Sequence, residues 1–477
     1  MDEVLSATAQ LSALRRRERS AVSLVDEAIA RIEAGDAAVN AVVVRDFERA
    51  RRDAHAADAR RAAGEDGPLL GLPVTVKESF DVTGLATTWG LPGAHPPADA
   101  DAVVVRRLRD AGAVVLGKTN VPTLLADWQC ANPVYGTTCN PWDLTRTSGG
   151  SSGGAAAVAA GFSALDIGSD LGGSLRLPAA FCGVCSHRPS HGLVPLRGAA
   201  PPGAPRGPLN PWMDLVTAGP IARCAADLAL ALDAIAGPDD AEAVAWRLVL
   251  PPARHLQLRD FRVLVLQTHP LYPTAREITQ AVDRVARSLE AEGCRVALDA
   301  QAVPGLADQS RTFQALLMSL IGADIPPEEH HRAVARAAAG DEVARHLTMS
   351  HRDWIWLDRH RVHHAAAWRR TFADWDVVLC PAAPVTAFAH DDRPMEQRQI
   401  QVDGQWLPYE ALAGWAGISQ PAGLPVTTVP IGLDGQGLPI GMQVIGPRLE
   451  DRTPLAFARE LERLIGASPL PRMAASA

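Results

Sequence analysis

Apolar positions over residues 1–64 recur three or four apart among arginines and glutamates, as in Ser23-Leu-Val-Asp-Glu-Ala-Ile-Ala-Arg-Ile32. That spacing predicts helices with one buried face, a layer wrapped on a larger body. From Gly71 to Gly237 the pattern changes. Short apolar runs at Leu72–Val76, Ala113–Leu116 and Ser163–Ile167 read as strands, separated by helical patterns such as Asp101–Ala111 and Ala155–Ala160. The alternation predicts a βα-type sheet. Pro195–Pro211 is dense in proline and glycine and predicts a long loop, of the kind that often carries function.

A candidate boundary follows at 238–258, with Pro238-Asp-Asp and Pro251-Pro252. Beyond it lies a β-α-β pattern, Phe261–Leu266, Ile278–Glu292 and Arg295–Leu298, and then a helical stretch, 305–370, rich in arginine and histidine. Val377–Cys380 and Pro425–Ile431 resume the sheet, and a helix near Pro454–Ile465 closes the chain. Length alone would suggest two or three domains. With no low-complexity linker and no internal repeat, one large α/β unit spanning 1–477 remains open as well.

A 47% apolar content is ample for a large core, while a net charge of −8 argues against nucleic-acid or anionic-membrane partners. No run of 18 apolar residues occurs, and no apolar signal region follows the Met-Asp-Glu start, so a soluble, cytoplasmic protein is expected. Seven scattered cysteines read as reduced thiols. Cys182 and Cys185 form a lone C-x-x-C without the second pair that a zinc site wants, which points to packing.

Only two of the 46 Lys and Arg side chains are lysines, Lys77 and Lys118. A lysine retained against that bias marks a place where guanidinium would not serve. Guanidinium keeps its proton, whereas a buried ammonium can become a neutral base. Lys77 ends the apolar run Gly71-Leu-Pro-Val-Thr-Val-Lys77 and reads as an amine carried inward by a strand.

Two serine-glycine segments complete the chemistry: Thr147-Ser-Gly-Gly-Ser151-Ser152-Gly-Gly and Gly168-Ser-Asp-Leu-Gly172-Gly173-Ser174-Leu-Arg176. Paired glycines bring backbone close to a ligand, and a serine just after such a turn can expose its hydroxyl beside converging amides. A flexible linker fits poorly, because helix and strand patterns surround both segments. Gly149-Gly-Ser151-Ser-Gly153 matches the G-x-S-x-G elbow formally, but no strand precedes it, and no Gly-Lys-Ser/Thr follows to make a phosphate loop.

Lys77, the GGSSGG stretch at 149–154 and GSDLGGSLRLPAAFCGV at 168–184 together resemble the amidase signature family, as do Gly117-Lys-Thr-Asn120, Asn140-Pro-Trp142 and Gly437-Leu-Pro-Ile-Gly-Met-Gln443. The resemblance covers roughly 65–465. It implies an α/β/α sandwich with a mixed central sheet flanked by helices. It also implies a Ser-cisSer-Lys triad of Ser174 as nucleophile, Ser151 as the bridging serine after a cis peptide, and Lys77 as base. The backbone amides of Leu171, Gly172, Gly173 and Ser174 would form the oxyanion hole, braced by Asp170 and Arg176. No cofactor or metal is implied.

Three departures stand out. Glu78 replaces the family's commonest aspartate, and Arg188 stands where many members have lysine. The spacing from Ser151 to Ser174 is one residue short, through a deletion near Ala155–Ala157. A structural lysine has thus become arginine while Lys77 persists. Lys118 is expected as a structural ion pair or carbonyl-bonding amine. His360, His363 and His364, at helical spacing among arginines, read as a solvated face. The substrate pocket is expected from Leu125, Trp128 and Gln129, the Pro195–Pro211 loop, the 310–370 helices, and the segment from Trp415 to Gln420. These are mostly apolar. The resemblance therefore implies a hydrolase that cleaves the C–N acyl bond of a small hydrophobic amide, aryl amide or carbamate through an acyl-serine intermediate, acting as monomer or homodimer. The alternatives are the amidase subunit of a tRNA-dependent amidotransferase and a non-catalytic binding protein on the same scaffold.

Overall fold

The computed structural model describes residues 5–204, 207, 210 and 213–471, so parts of the Pro195–Pro211 loop lie outside the described residues. An eleven-stranded mixed sheet runs through the molecule. Its strands in chain order are β1 (Val42–Arg45), β2 (Pro73–Lys77), β3 (Val114–Thr119), β4 (Leu165–Asp170), β5 (Cys185–Arg188) and β6 (Thr217–Ala222), followed by β7 (Arg262–Val265), β8 (Arg295–Ala297), β9 (Val377–Pro381), β10 (Val426–Leu433) and β11 (Pro439–Ile445). In space they lie β1-β3-β2-β4-β6-β5-β10-β11-β9-β7-β8. The pairs β3–β2–β4 and β9–β7–β8 are parallel, and the strands from β4 across to β9 are antiparallel. The candidate boundary at 238–258 therefore falls between two stretches that share one sheet.

Helices cover the sheet, each burying an apolar stripe. Arg452–Ile465 buries Leu455, Phe457, Ala458 and Leu461, and Phe457 meets Phe261 edge to face at 5.1 Å. Arg276–Ala291 does the same with Ile278, Val282, Val285 and Leu289. Such stripes at i, i+3, i+4 and i+7 let a helix remove apolar area from water, worth about 25 cal/mol per Å².

The N-terminal layer is not wholly helical as its spacing predicts. Val42–Arg45 forms an edge strand antiparallel to β3. Three consecutive valines suit a pleated surface, and the neighbouring strand overrides the helical periodicity. Strand β5 carries no apolar run that would mark it in the sequence, and in β6 and β11 glycine, proline or glutamine interrupts the apolar residues. Cys185-Ser-His-Arg188 holds polar residues that are fully buried, and a strand covered on both faces shows no alternation to read.

The layer is tied to the body by charge as well as packing. The Asp227 carboxylate, on the helix Ala225–Ile235, accepts the amides of Ala7 and Thr8, both at 2.8 Å, at the start of the helix Ala7–Arg15. Those amides have no partner within their own helix. Asp227→Ala should lower stability by about 1–3 kcal/mol in urea denaturation and speed amide exchange in Ala7–Arg15. Unchanged exchange there would mean that apolar contact alone holds the layer.

Candidate active site

Strand β2 is buried along its whole length and lies between two parallel neighbours, so its last residue emerges inside the protein. That residue is Lys77, with no exposed surface. Its Nζ lies 2.7 Å from Ser151 Oγ and 3.1 Å from Ser169 Oγ. Burial lowers its pKa to about 7, against the opposing pull of Cys130, Asp170 and Asp166. Neutralising a charge that water cannot reach is the cheaper state.

Ser151 follows the cis Gly150–Ser151 peptide. The glycines around it are required by close approach. A Cβ on Gly150 would stand 2.3 Å from the Asp127 carbonyl oxygen, and one on Gly149 2.7 Å from Pro178 Cα. The segment after Ser151 forms a helix of only 6 residues, Gly154–Ala159, wholly buried. Gly154 packs on the Asp166 carboxylate, where a Cβ would come within 2.0 Å of an oxygen.

The chain leaves β4 through Leu171-Gly172-Gly173 and reaches Ser174, which is 7% exposed while Ser151 is 1%. Ser174 is thus the more accessible residue of the two. Gly173 has φ +99°, and a Cβ there would meet Leu177 at 2.4 Å. Gly172 faces open space, since a Cβ would meet nothing within 4 Å. Its carbonyl accepts the Trp128 indole N–H at 3.0 Å.

Asp170 anchors this loop. Its carboxylate accepts the amides of Gly173 (3.1 Å) and Leu175 (3.0 Å), two N–H groups of Arg176 (3.0 and 2.9 Å) and the Gln420 amide (2.9 Å). Burial alone would raise its pKa, but Arg176, Arg188 and these donors hold it well below the usual carboxylate range. The Gly173 amide, one of the four expected at the oxyanion hole, donates to Asp170. Among the described residues the amides of Leu171, Gly172 and Ser174 have no such acceptor.

Glu78 turns away from Lys77. It accepts the amides of Thr88 (2.6 Å) and Trp89 (3.0 Å) and faces Lys118 at 3.9 Å. Lys118 also donates to the Ala86 carbonyl at 2.7 Å, the structural role expected of it. Arg188 is buried, donates to the carbonyls of Leu424 and Leu215, both at 2.9 Å, and lies 3.6 Å from Asp170.

The pocket expectations divide. Trp128 touches the glycine loop, and Leu125 is half-buried nearby at φ +60°. Gln129 is locked instead. Its side-chain amide exchanges two hydrogen bonds with the Asp391 backbone, at 2.8 and 2.9 Å. Trp415 has no exposed surface, and its indole donates to Thr274 at 2.7 Å within a core cluster. Gln420, at the end of the segment expected at the pocket, bonds Asp170, and Ser169, inside the second serine-glycine segment but given no role there, lies beside Lys77. Ser169 reaches Lys77 only because β4 pairs with β2, which chain order does not reveal.

An amine of depressed pKa bonded to a serine, next to a glycine turn with unengaged amides, is an arrangement able to move a proton from a hydroxyl and stabilise a developing oxyanion. Known proteins resemble this chain along most of its length. The family profile described as Amidase matches residues 23–455. AmiB2 of Mycobacterium tuberculosis, a protein that bears an amidase name, is 35% identical over 467 residues, 96% of this chain and 95% of its own. A glutamyl-tRNA(Gln) amidotransferase subunit of Halorhodospira halophila is 33% identical over 91% of this chain and 92% of its own. A bacterial aryl acylamidase of the amidase signature family superimposes with a TM-score of 0.79 at 25% identity, covering 96% of each chain. The chain belongs to the amidase signature family, and it is a hydrolase acting on C–N bonds.

The lysine itself can be tested by stability. With a pKa of about 7 folded against 10.5 in the ordinary state, Lys77 binds fewer protons folded than unfolded across that interval. Wild-type stability therefore rises with pH there, by about 1.4 kcal/mol for each step of one in pH. Lys77→Met removes this dependence. It should exceed wild type by a few kcal/mol near about pH 6, with the gap narrowing towards about pH 10. A gap that stays constant in urea titrations would mean that the Lys77 amine is not depressed.

Proposed function

We propose that Ser174 is the nucleophile of an amide hydrolase, with Ser151 and Lys77 passing its proton. The observation that carries the reading is the 2.7 Å contact between a buried amine of pKa about 7 and the Ser151 hydroxyl. A base poised near neutrality is the efficient one at working pH. Ser174 Oγ attacks the carbonyl carbon as its proton moves to Ser151 and the Ser151 proton moves to Lys77. The negative oxygen is held by the amides of Leu171, Gly172 and Ser174. Lys77 then returns its proton through Ser151 to the nitrogen, the C–N bond breaks, and water releases the acid from acyl-Ser174 by the same relay in reverse.

The substrate is a small molecule with a hydrophobic acyl or aryl group. Support comes from the apolar cluster of Leu215, Phe313, Leu316 and Leu317, which packs on Leu171 at the edge of the glycine turn. An aryl amide fits this wall, in keeping with the aryl acylamidase superposition, and a carbamate would present the same carbonyl chemistry. The setting is cytoplasmic and the working unit a monomer or homodimer, with no nucleic-acid or membrane partner. Seven free thiols agree with that setting. Among the described residues no helix is long and apolar enough to cross a membrane. The likeness to an amidotransferase component supports a second reading, delivery of ammonia to a partner protein. Gel filtration with assay separates the two, since the first requires a partner-free, active enzyme.

Ser174→Ala should lose several orders of magnitude in kcat with melting unchanged, and activity within about tenfold of wild type would move the nucleophile elsewhere. Lys77→Arg keeps charge and approximate length but cannot accept a proton. It should be nearly inactive on nitroanilides, whereas wild-type kcat/KM should rise through about pH 7 and level off as the amine loses its proton. Retained activity with an unchanged pH profile would reject lysine as the base. Phe313→Ala and Leu317→Ala should change the ratio of kcat/KM between aryl and short aliphatic amides by about tenfold. Equal scaling of every substrate would remove these residues from the pocket.

A further inference from the structure

The structure divides the three clustered histidines. His363 turns aside, its Nδ1 lying 3.0 Å from the Arg359 carbonyl oxygen. His360 and His364, one turn apart on the helix His351–Asp374, both face Asp308 on the neighbouring helix Leu306–Gly322. Their Nε2 atoms stand 3.1 and 3.6 Å from the same Asp308 oxygen, and their rings meet edge to face at 5.0 Å. All three donor atoms lie within 4.8 Å of one another. His364 is buried, while the side chains of His360 and Asp308 are 48% and 55% exposed. The cluster is therefore walled on one side and open on the other.

The spacing fits a shared cation. Ligands about 2.0–2.1 Å from a tetrahedral metal stand about 3.3 Å apart, and the two nitrogen–oxygen separations bracket that distance. Competing cations are occupied elsewhere. Arg361 pairs with Asp214 and Asp358, both at 2.6 Å, and Arg359 lies over the Trp356 ring. Among the described residues no guanidinium pairs with Asp308. One internal competitor exists. The Thr312 hydroxyl lies 3.1 Å from His364 Nε2 and must release that nitrogen for a metal to bind.

We propose that Asp308, His360 and His364 bind a divalent first-row transition metal, zinc foremost. Two imidazoles and a carboxylate suit zinc, cobalt or nickel and disfavour magnesium or calcium, which prefer all-oxygen sets. Three protein ligands leave a fourth position, on the open side, for water. The ion joins two helices that contact each other, and the first of them supplies Phe313, Leu316 and Leu317 to the wall beside Leu171. The site is a clamp on that wall, separate from Lys77, Ser151 and Ser174. It stands or falls independently of the catalytic reading.

The test uses the full-length protein, stripped with a chelator and dialysed, titrated with ZnCl2 by calorimetry and with CoCl2 by visible absorption. One equivalent should bind, cobalt should show the intense band of four-coordinate geometry, and zinc should raise Tm. MgCl2 should do neither. Asp308→Ala and His360→Ala change exposed side chains and should fold, yet each should weaken zinc binding by at least about tenfold. His363→Ala should bind as wild type does. The proposal is overturned if wild type shows no saturable binding. It is equally overturned if Asp308→Ala and His360→Ala bind as tightly as wild type, which would assign the metal to thiols, or if His363→Ala loses binding alongside them.

Discussion

One buried carboxylate fixes the geometry of the site. Asp170 sits at the end of β4 with no exposed surface, and an isolated charge there would cost several kcal/mol. It persists because it is paired and fully bonded. Arg176 holds it from the following helix, Arg188 approaches from β5, and Gln420 reaches in from the C-terminal half. Each partner is anchored in turn. Arg176 also donates to the Ala416 carbonyl and to Gln443 of β11, and Arg188 to the carbonyls of Leu215 and Leu424. The glycine turn hangs on the same carboxylate through the amides of Gly173 and Leu175. Position of the turn, and hence of Ser174, is inherited from a network spanning 250 residues of chain.

The two lysines illustrate how surroundings assign a role. Both are fully buried, on the neighbouring strands β2 and β3. Lys118 faces the Glu78 carboxylate at 3.9 Å and donates to the Ala86 carbonyl at 2.7 Å, contacts that hold it in place. Lys77 has two serine hydroxyls within 3.1 Å, which bond either protonation state, so desolvation governs and its pKa falls. Glu78, just past the end of β2, serves Lys118, which pairs with Val76 and so lies on the side of the sheet opposite Lys77.

Much of the site was legible. Lysine scarcity picked out Lys77, and the glycine pairs around Ser151 and Ser174 stand where backbone approaches other groups too closely for a side chain. The periodic helices, such as Arg276–Ala291 and Arg452–Ile465, and the apolar strands β2, β3, β4 and β9 lie within a few residues of their predicted bounds. These features are local. They depend on a residue's own conformational freedom, or on a repeat shorter than the element that carries it.

What remained hidden is non-local. The order of strands puts Ser169 beside Lys77. The fate of each amide is decided by folding, so Gly173 is bound to Asp170 while its neighbours are left unengaged. Gln129 and Trp415, apt pocket residues by type, are drawn into bonds with Asp391 and Thr274. Asp308 meets His360, 52 positions further along the chain, across two packed helices. Periodicity and composition determined which side chains must be inside and which backbone must turn. Only packing in three dimensions decided what each buried polar group would face, because burial leaves such a group no water to bond and its nearest neighbour then sets its charge and its chemistry.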